Sequence, residues 1–354
     1  MAEVLRRCHV LIPGDWHTPT GGFVFDRRMV LALRARGWDV PVLRVDGAWP
    51  FPDEASRAEA QRLIAAVPDG DTVLADGLAF GVLGDLVAAH SPRLRWLALV
   101  HHPLHLETGL SAAQSAMLRS AETQALRHAR RVVVPSAATA RDLVALGVAP
   151  ERMEVIEPGN DAVAAPAPAL RPQGAVQLLC VATLTARKDH ALLLDALEGL
   201  IELDWVLHCV GSPRRDPALA ARLRARCAAS ALAGRVLWHG ELDLAALQAR
   251  YAAADLLLLA SRHEGFGMVV TEGLMHGLPV LASHAGALVH TVPPEAGWLL
   301  PPGDVAAWRA ALARLITEPA ERARLAEGAR RAAAALPSWE RQAQRLEAVL
   351  AGVP

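Results

Sequence analysis

Two carboxylates eight positions apart, Glu264 and Glu272, bracket the run Glu-Gly-Phe-Gly-Met-Val-Val-Thr-Glu, the stretch of this chain whose residue types point most directly to chemistry. It follows the apolar run 256–260. Gly265 and Gly267 permit a tight turn and a close backbone approach to a ligand. The pattern predicts a helix starting near Phe266, whose free N–H groups and dipole favour an anion. At 1.5 Å of rise per residue the two acids stand about 12 Å apart, beyond the roughly 5–10 Å of paired glycosidase carboxylates. That spacing suits hydroxyl-bearing groups at the two ends of a diphosphate, as in a nucleotide sugar, with the phosphates near the helix N-terminus. The alternative is a helix start with a capping acid and a second, solvated glutamate.

A second stretch, Arg187-Lys188, follows the apolar run 176–182 and precedes a helical segment. Lys188 is the only lysine among 36 basic residues, and a compact ammonium suits a phosphate oxygen. A third, Gly21-Gly22, precedes a helix with an apolar face at Val30, Leu31 and Leu33, and allows close approach to a ligand; the competing reading is a simple turn. It is not Gly-x-Gly-x-x-Gly, which argues against a dinucleotide-dependent dehydrogenase. A fourth, His101-His102-Pro103-Leu104-His105-Leu106-Glu107, ends a strand candidate. Its spacing is no helix-borne metal motif, and Pro103 breaks helical register. His101 is the candidate there for holding a substrate hydroxyl, with His102 and His105 as local structure. No metal is expected.

These residues need elements that bring strand ends together. Strand candidates lie at 9–13, 39–45, 72–75, 96–101, 132–135 and 153–156, and again at 176–182, 205–210, 236–239, 256–260 and 280–283. Ala/Leu/Arg-rich helical segments alternate with them, which implies α/β architecture with parallel sheets wound on both faces. The Pro/Ala-rich segment 161–174 separates the two series and reads as a linker. Two doubly wound domains facing across a cleft follow, with functional residues just beyond the strand ends. The boundaries are 1–160 and 175–337, and a last helix over about 338–354 is predicted to pack back on the first domain.

Length and composition agree. The 354 residues suffice for two domains, and 53% of them are hydrophobic. With 36 basic and 37 acidic residues the net charge is −1, which excludes a dedicated nucleic-acid binder. Four cysteines, far apart in the chain, match neither a zinc site nor a disulfide scaffold and point to a reduced, cytoplasmic setting. No signal-peptide pattern or membrane-spanning run is visible. Peripheral contact at the inner face of the membrane stays open, through Arg27-Arg28 or Arg130-Arg131, although acids outnumber arginines 19 to 17 over residues 1–165.

Taken together, the chain resembles the retaining glycosyltransferases of the GT-B fold, in particular family 4 (glycosyl transferase group 1). The hallmark Glu-x7-Glu is Glu264 to Glu272. The Gly-Gly loop, Val133-Val134-Pro135-Ser136, the segment 155–161, Gly211, Gly240, Gly277-Leu278-Pro279-Val280 and Pro302-Gly303-Asp304 follow in the family's order. The resemblance implies transfer of a sugar from a nucleotide-diphosphate sugar to a glycan, lipid or small-molecule acceptor bound by the first domain. It implies retention of configuration by front-face attack, no metal or other cofactor, and closure of the cleft around the donor. Glu264 would hold donor-sugar hydroxyls and Glu272 the ribose. Backbone amides of Gly265, Phe266, Gly267 and Met268 would line the sugar and phosphate site, and Lys188 with Arg187 would neutralise the diphosphate. Gly22 would let the first helix approach that diphosphate, His101 would meet the transferred sugar, and His239 and Leu242 would lie near the base. One departure is Ala182-Thr183-Leu184, where the family often has Gly-Arg-Leu; Arg187, four residues on in the same loop, is the candidate to stand in for that arginine. The same fold also admits a sugar-nucleotide 2-epimerase or a non-catalytic sugar-binding subunit.

Overall fold

The computed structural model describes residues 6–163 and 174–353. Most of the predicted linker lies outside the described residues. The chain forms two compact units, one of the residues up to Gly159 together with those from Pro337 onward, the other Asn160–Leu336.

The first unit is built on β1 (His9–Pro13), β2 (Val42–Val45), β3 (Thr72–Asp76), β4 (Arg95–Leu99), β5 (Arg131–Val134) and β6 (Met153–Val155). All pair in parallel, in the order β2-β1-β3-β4-β5-β6. β1 and β3 are buried along their whole length, as expected for strands covered on both faces. The sheet reverses its direction of growth at β1, so the segments leaving β1 and β3 sit side by side, the switch point of a doubly wound sheet. The helix Gly21–Ala35 follows β1, capped by Thr20, whose hydroxyl accepts from Phe23 N. The last helix, Trp339–Ala351, belongs to this unit. Ser338 caps it, Trp339 packs edge-on against Phe25 at 5.9 Å, and Gln342 donates to the Glu157 carbonyl at 2.7 Å.

The second unit holds β7 (Val176–Val181), β8 (Trp205–Val210), β9 (Val236–Gly240), β10 (Leu256–Leu259), β11 (Val280–Ser283) and β12 (Gly297–Leu300). The order is β12-β11-β10-β7-β8-β9, again parallel throughout. This is the Rossmann order, with its switch point between β7 and β10. Leu178 and Leu179 of β7 pair there with Leu256 and Leu257 of β10. β12 was not among the strand candidates. It is a four-residue edge strand, Gly-Trp-Leu-Leu, ended by Pro301-Pro302, too short to declare a period. Among the described residues no helix is long and apolar enough to cross a membrane. All four cysteines are buried and free.

Candidate functional site

In the second unit the loops leaving β7 and β10 meet because those strands are neighbours. The loop after β7 carries Arg187 and Lys188 in a short 3-10 turn, Ala186–Lys188. The loop after β10 carries Glu264. Lys188 Nζ donates to Glu264 Oε1, and Arg187 Nη1 lies 3.5 Å from Oε2 while donating to the His263 carbonyl at 2.9 Å. The three side chains are nearly enclosed, with 15%, 18% and 8% of Lys188, Arg187 and Glu264 exposed. Burial alone would push the Glu264 carboxyl up. The charges of Lys188 and Arg187, with hydrogen bonding, outweigh burial and hold it at about 2 against an ordinary 4.5.

Backbone and side-chain contacts fix both loops. Arg262 N donates to the Arg187 carbonyl at 2.8 Å. Asp189, the one described non-glycine residue at positive φ (46°), has its carboxylate held by Arg262 Nε at 2.8 Å. The Glu264 carbonyl accepts from Ala287 N at 2.8 Å, and the Phe266 carbonyl from the Thr291 hydroxyl at 2.8 Å. Sequence reading singled out none of Asp189, Arg262, Ala287 or Thr291 as part of this site. The available signal was an acid directly after the lysine and an arginine three residues past the end of β10.

The helix carrying Glu272 spans Met268–Met275, two residues later than expected. Gly267 stands at its N-cap with φ 88°, and a Cβ there would meet Leu288 Cδ2 at 2.7 Å, so this position requires glycine. Residues 264–267 are therefore not helical, and the 12 Å separation inferred from helical rise does not apply. No side chain caps this helix, which leaves its first N–H groups to other partners. Gly265 and Phe266 are half-buried within the turn, and Met268 opens the helix. Glu272 is no solvated glutamate. Tyr251 donates to its Oε2 at 2.6 Å. Burial raises its carboxyl, and that hydrogen bond opposes the rise.

His239, near the end of β9, has Nε2 2.9 Å from His208 Nδ1, and the two rings stack at 5.2 Å. Burial lowers both, with Arg250 adding to the effect, and His208 falls to about 4. Two stacked imidazoles beside a guanidinium therefore line this strand end. Leu242 is half-buried and packs on the hydrophobic core.

Gly22 and His101 lie in the first unit. A Cβ at Gly22 would stand 3.0 Å from His101 Cδ2, so in this structure the glycine makes room for the imidazole itself. His101 Nε2 lies 3.0 Å from Asp26 Oδ1 and 3.6 Å from Asp76 Oδ2. Both acids are buried, at 2% and 3% exposure. Burial disfavours the imidazolium, but the two acids outweigh that and raise His101. Burial, then the charge of Asp26, push Asp76 well above its ordinary range. Sequence reading missed both acids, although Asp26 interrupts the buried stripe Phe25, Met29, Val30 and Leu33. Asp26, Asp76 and His101 are the one described group whose ligand atoms lie near enough to share an ion, within 4.8 Å. Here His101 bonds Asp26, and Asp76 Oδ1 accepts from Leu78 N at 2.7 Å. His102 Nε2 meets Glu107 Oε2 at 3.4 Å, a separate local pair.

Comparison with known proteins bears on this arrangement. Residues 21–163 match the family described as Glycosyltransferase Family 4, and residues 165–332 match Glycosyl transferases group 1. The chain is 31% identical over 289 residues to a D-inositol 3-phosphate glycosyltransferase of Thermomonospora curvata, covering 73% of this chain and 67% of that protein. Across relatives of that name it spans from about half to two thirds of their length. Its fold is that of a sucrose-phosphate synthase of Thermosynechococcus elongatus (TM-score 0.83, 21% identity, 97% and 98% of the two chains). It is also that of Anabaena Alr3699/HepE, solved in complex with UDP and glucose (TM-score 0.78, 18% identity, 98% and 99%). By these matches across both halves, the chain belongs to the family 4 glycosyltransferases of the GT-B fold.

Proposed function

We propose that this chain transfers a sugar from a nucleoside-diphosphate sugar to a hydroxyl of a glycan, lipid or small-molecule acceptor, with retention of configuration and without a metal. The observation that carries the reading is the enclosed Lys188–Glu264–Arg187 cluster at the switch point between β7 and β10, beside a helix start that no side chain caps. An ammonium has three N–H donors; one serves Glu264, and two remain for phosphate oxygens. Arg187, drawn into the same cluster, supplies the charge that Thr183 cannot. As the bond between the anomeric carbon and the β-phosphate oxygen breaks, these cations and the amides of Gly265 to Met268 stabilise the charge left on the diphosphate. The acceptor oxygen bonds to the anomeric carbon on the same face, and its proton passes to the departing phosphate. An ionised Glu264 accepts from donor-sugar hydroxyls, Glu272 from the ribose, and His239 and Leu242 lie at the base. In the first unit, His101 takes the transferred sugar as its partner, with Gly22 beneath its ring. The UDP held by the Anabaena protein makes UDP the first nucleotide to try.

The test is a thermal-shift panel of UDP, GDP, ADP and their sugars in excess chelator, followed by transfer assays on the binders. A ligand at a hundred times its dissociation constant adds roughly 2.7 kcal/mol. Transfer in chelator that Lys188→Ala and Glu264→Ala each greatly reduce is the expected result. Strict dependence on added Mg²⁺ or Mn²⁺, or near-normal turnover in either variant, refutes the reading.

A further inference from the structure

Tyr251 is the only tyrosine in the chain and is fully buried. It sits on the helix Leu244–Ala253 and donates its hydroxyl to Glu272 Oε2 at 2.6 Å. The phenol is pinned. The His276 ring stacks on it at 5.2 Å and 15° between planes, and His276 Nε2 lies 2.6 Å from Gln248 Oε1. A buried hydroxyl is costly unless it is bonded, and phenylalanine would fill the same space without that cost. The reason for a tyrosine here is therefore its partner. The bond occupies one carboxylate oxygen. Glu272 is only half-buried as a residue, and the Tyr251 hydroxyl sits on its Oε2 rather than its Oε1.

Resting on the reading of Glu272 as the ribose acid, we propose that Tyr251 is a positioning residue. It fixes one oxygen of Glu272 so that the other accepts from the ribose hydroxyls, and it thereby sets the preference for ribonucleotide over deoxyribonucleotide donors. A carboxylate tethered by one oxygen has lost its side-chain freedom before the ligand arrives, so the charged hydrogen bond to the diol keeps more of its strength. The stacked His276 ring, itself bonded to Gln248, holds the tether in place.

The experiment is calorimetric titration of the full chain with UDP, GDP and ADP and with their 2′- and 3′-deoxy counterparts. The wild type should prefer the ribonucleotide of the pair it binds by about tenfold or more. Tyr251→Phe should weaken the ribonucleotide about tenfold and leave the deoxynucleotides unchanged. In a Glu272→Ala background the same change should do nothing further to the ratio. Gln248→Ala, which frees only the stacked imidazole, should lower the ratio in the same direction and carries the test if Tyr251→Phe does not fold. Equal weakening of ribo- and deoxynucleotides, or an unchanged ratio in the folded variants while Glu272→Ala abolishes it, overturns the role of Tyr251 alone. A wild type indifferent to the ribose hydroxyls overturns the ribose reading of Glu272, and this proposal with it.

Discussion

Removing Lys188 should destabilise the second unit, and the loss should depend on pH in a defined direction. Glu264 is 6% exposed and its carboxyl is held at about 2, against an ordinary 4.5. Burial acts upward, so the cations supply more than the net shift, and Lys188 makes the shorter contact and the larger share. Returning the carboxyl merely to its ordinary value costs about 3 kcal/mol at 1.36 kcal/mol per pKa unit. For a unit of this size that is roughly 6–12 °C in melting temperature. The depressed value belongs to the folded state, so the stabilisation is complete above about pH 4.5 and is lost as pH falls toward 2. The gap between wild type and Lys188→Ala, measured by thermal melting from pH 7 to pH 3, should be widest at neutrality and close on acidification. In Lys188→Ala/Glu264→Gln the cost should be less than the sum of the single variants, because no buried carboxylate is left unpaired. A gap independent of pH, or additive losses, refutes the reasoning.

Gly22→Ala sets helix propensity, worth up to about 1 kcal/mol in favour of alanine, against a methyl 3.0 Å from His101 Cδ2. The ring is held by Asp26 and by the edge of Phe25 at 5.5 Å, so overpacking at roughly 1–3 kcal/mol prevails; urea unfolding should show a net loss, and a more stable variant would count against the packing account. Glu122 is 1% exposed and accepts from Leu104 N at 3.0 Å, and burial raises its carboxyl to about 8. The folded state then binds the extra proton, so stability should fall as pH rises from about 4.5 to 8, by roughly 5 kcal/mol over the window. Glu122→Gln, which keeps an acceptor for Leu104, should flatten that decline in melting temperature, whereas parallel curves for the two proteins would show that Glu122 does not titrate there.

Much of the fold was legible in short apolar runs alternating with helical segments, because strands buried on both faces must be written almost wholly in Val, Leu, Ile and Ala. β12 escaped for want of length. The helix carrying Glu272 was placed two residues early, because the composition of Gly265-Phe266-Gly267 does not reveal which glycine takes the left-handed cap. At the site, Lys188, Arg187, Glu264 and Glu272 stood out by type, scarcity or spacing within one segment. Asp26, Asp76, Asp189, Arg262 and Tyr251 did not, because each matters only through a residue distant in the chain.

The sequence by itself determined which segments become strands, where the first series ends and the second begins, and which loops hold acid, cation and glycine, since periodicity and local chemistry are properties of neighbours along the chain. Only the tertiary structure decided that β7 lies beside β10 and β1 beside β3. That order sets Lys188 against a carboxylate 76 residues away and closes two buried acids around His101. Strand order is fixed by how helices cover the two faces of a sheet, a choice made by the whole core at once, and the electrostatics of the site follow from it.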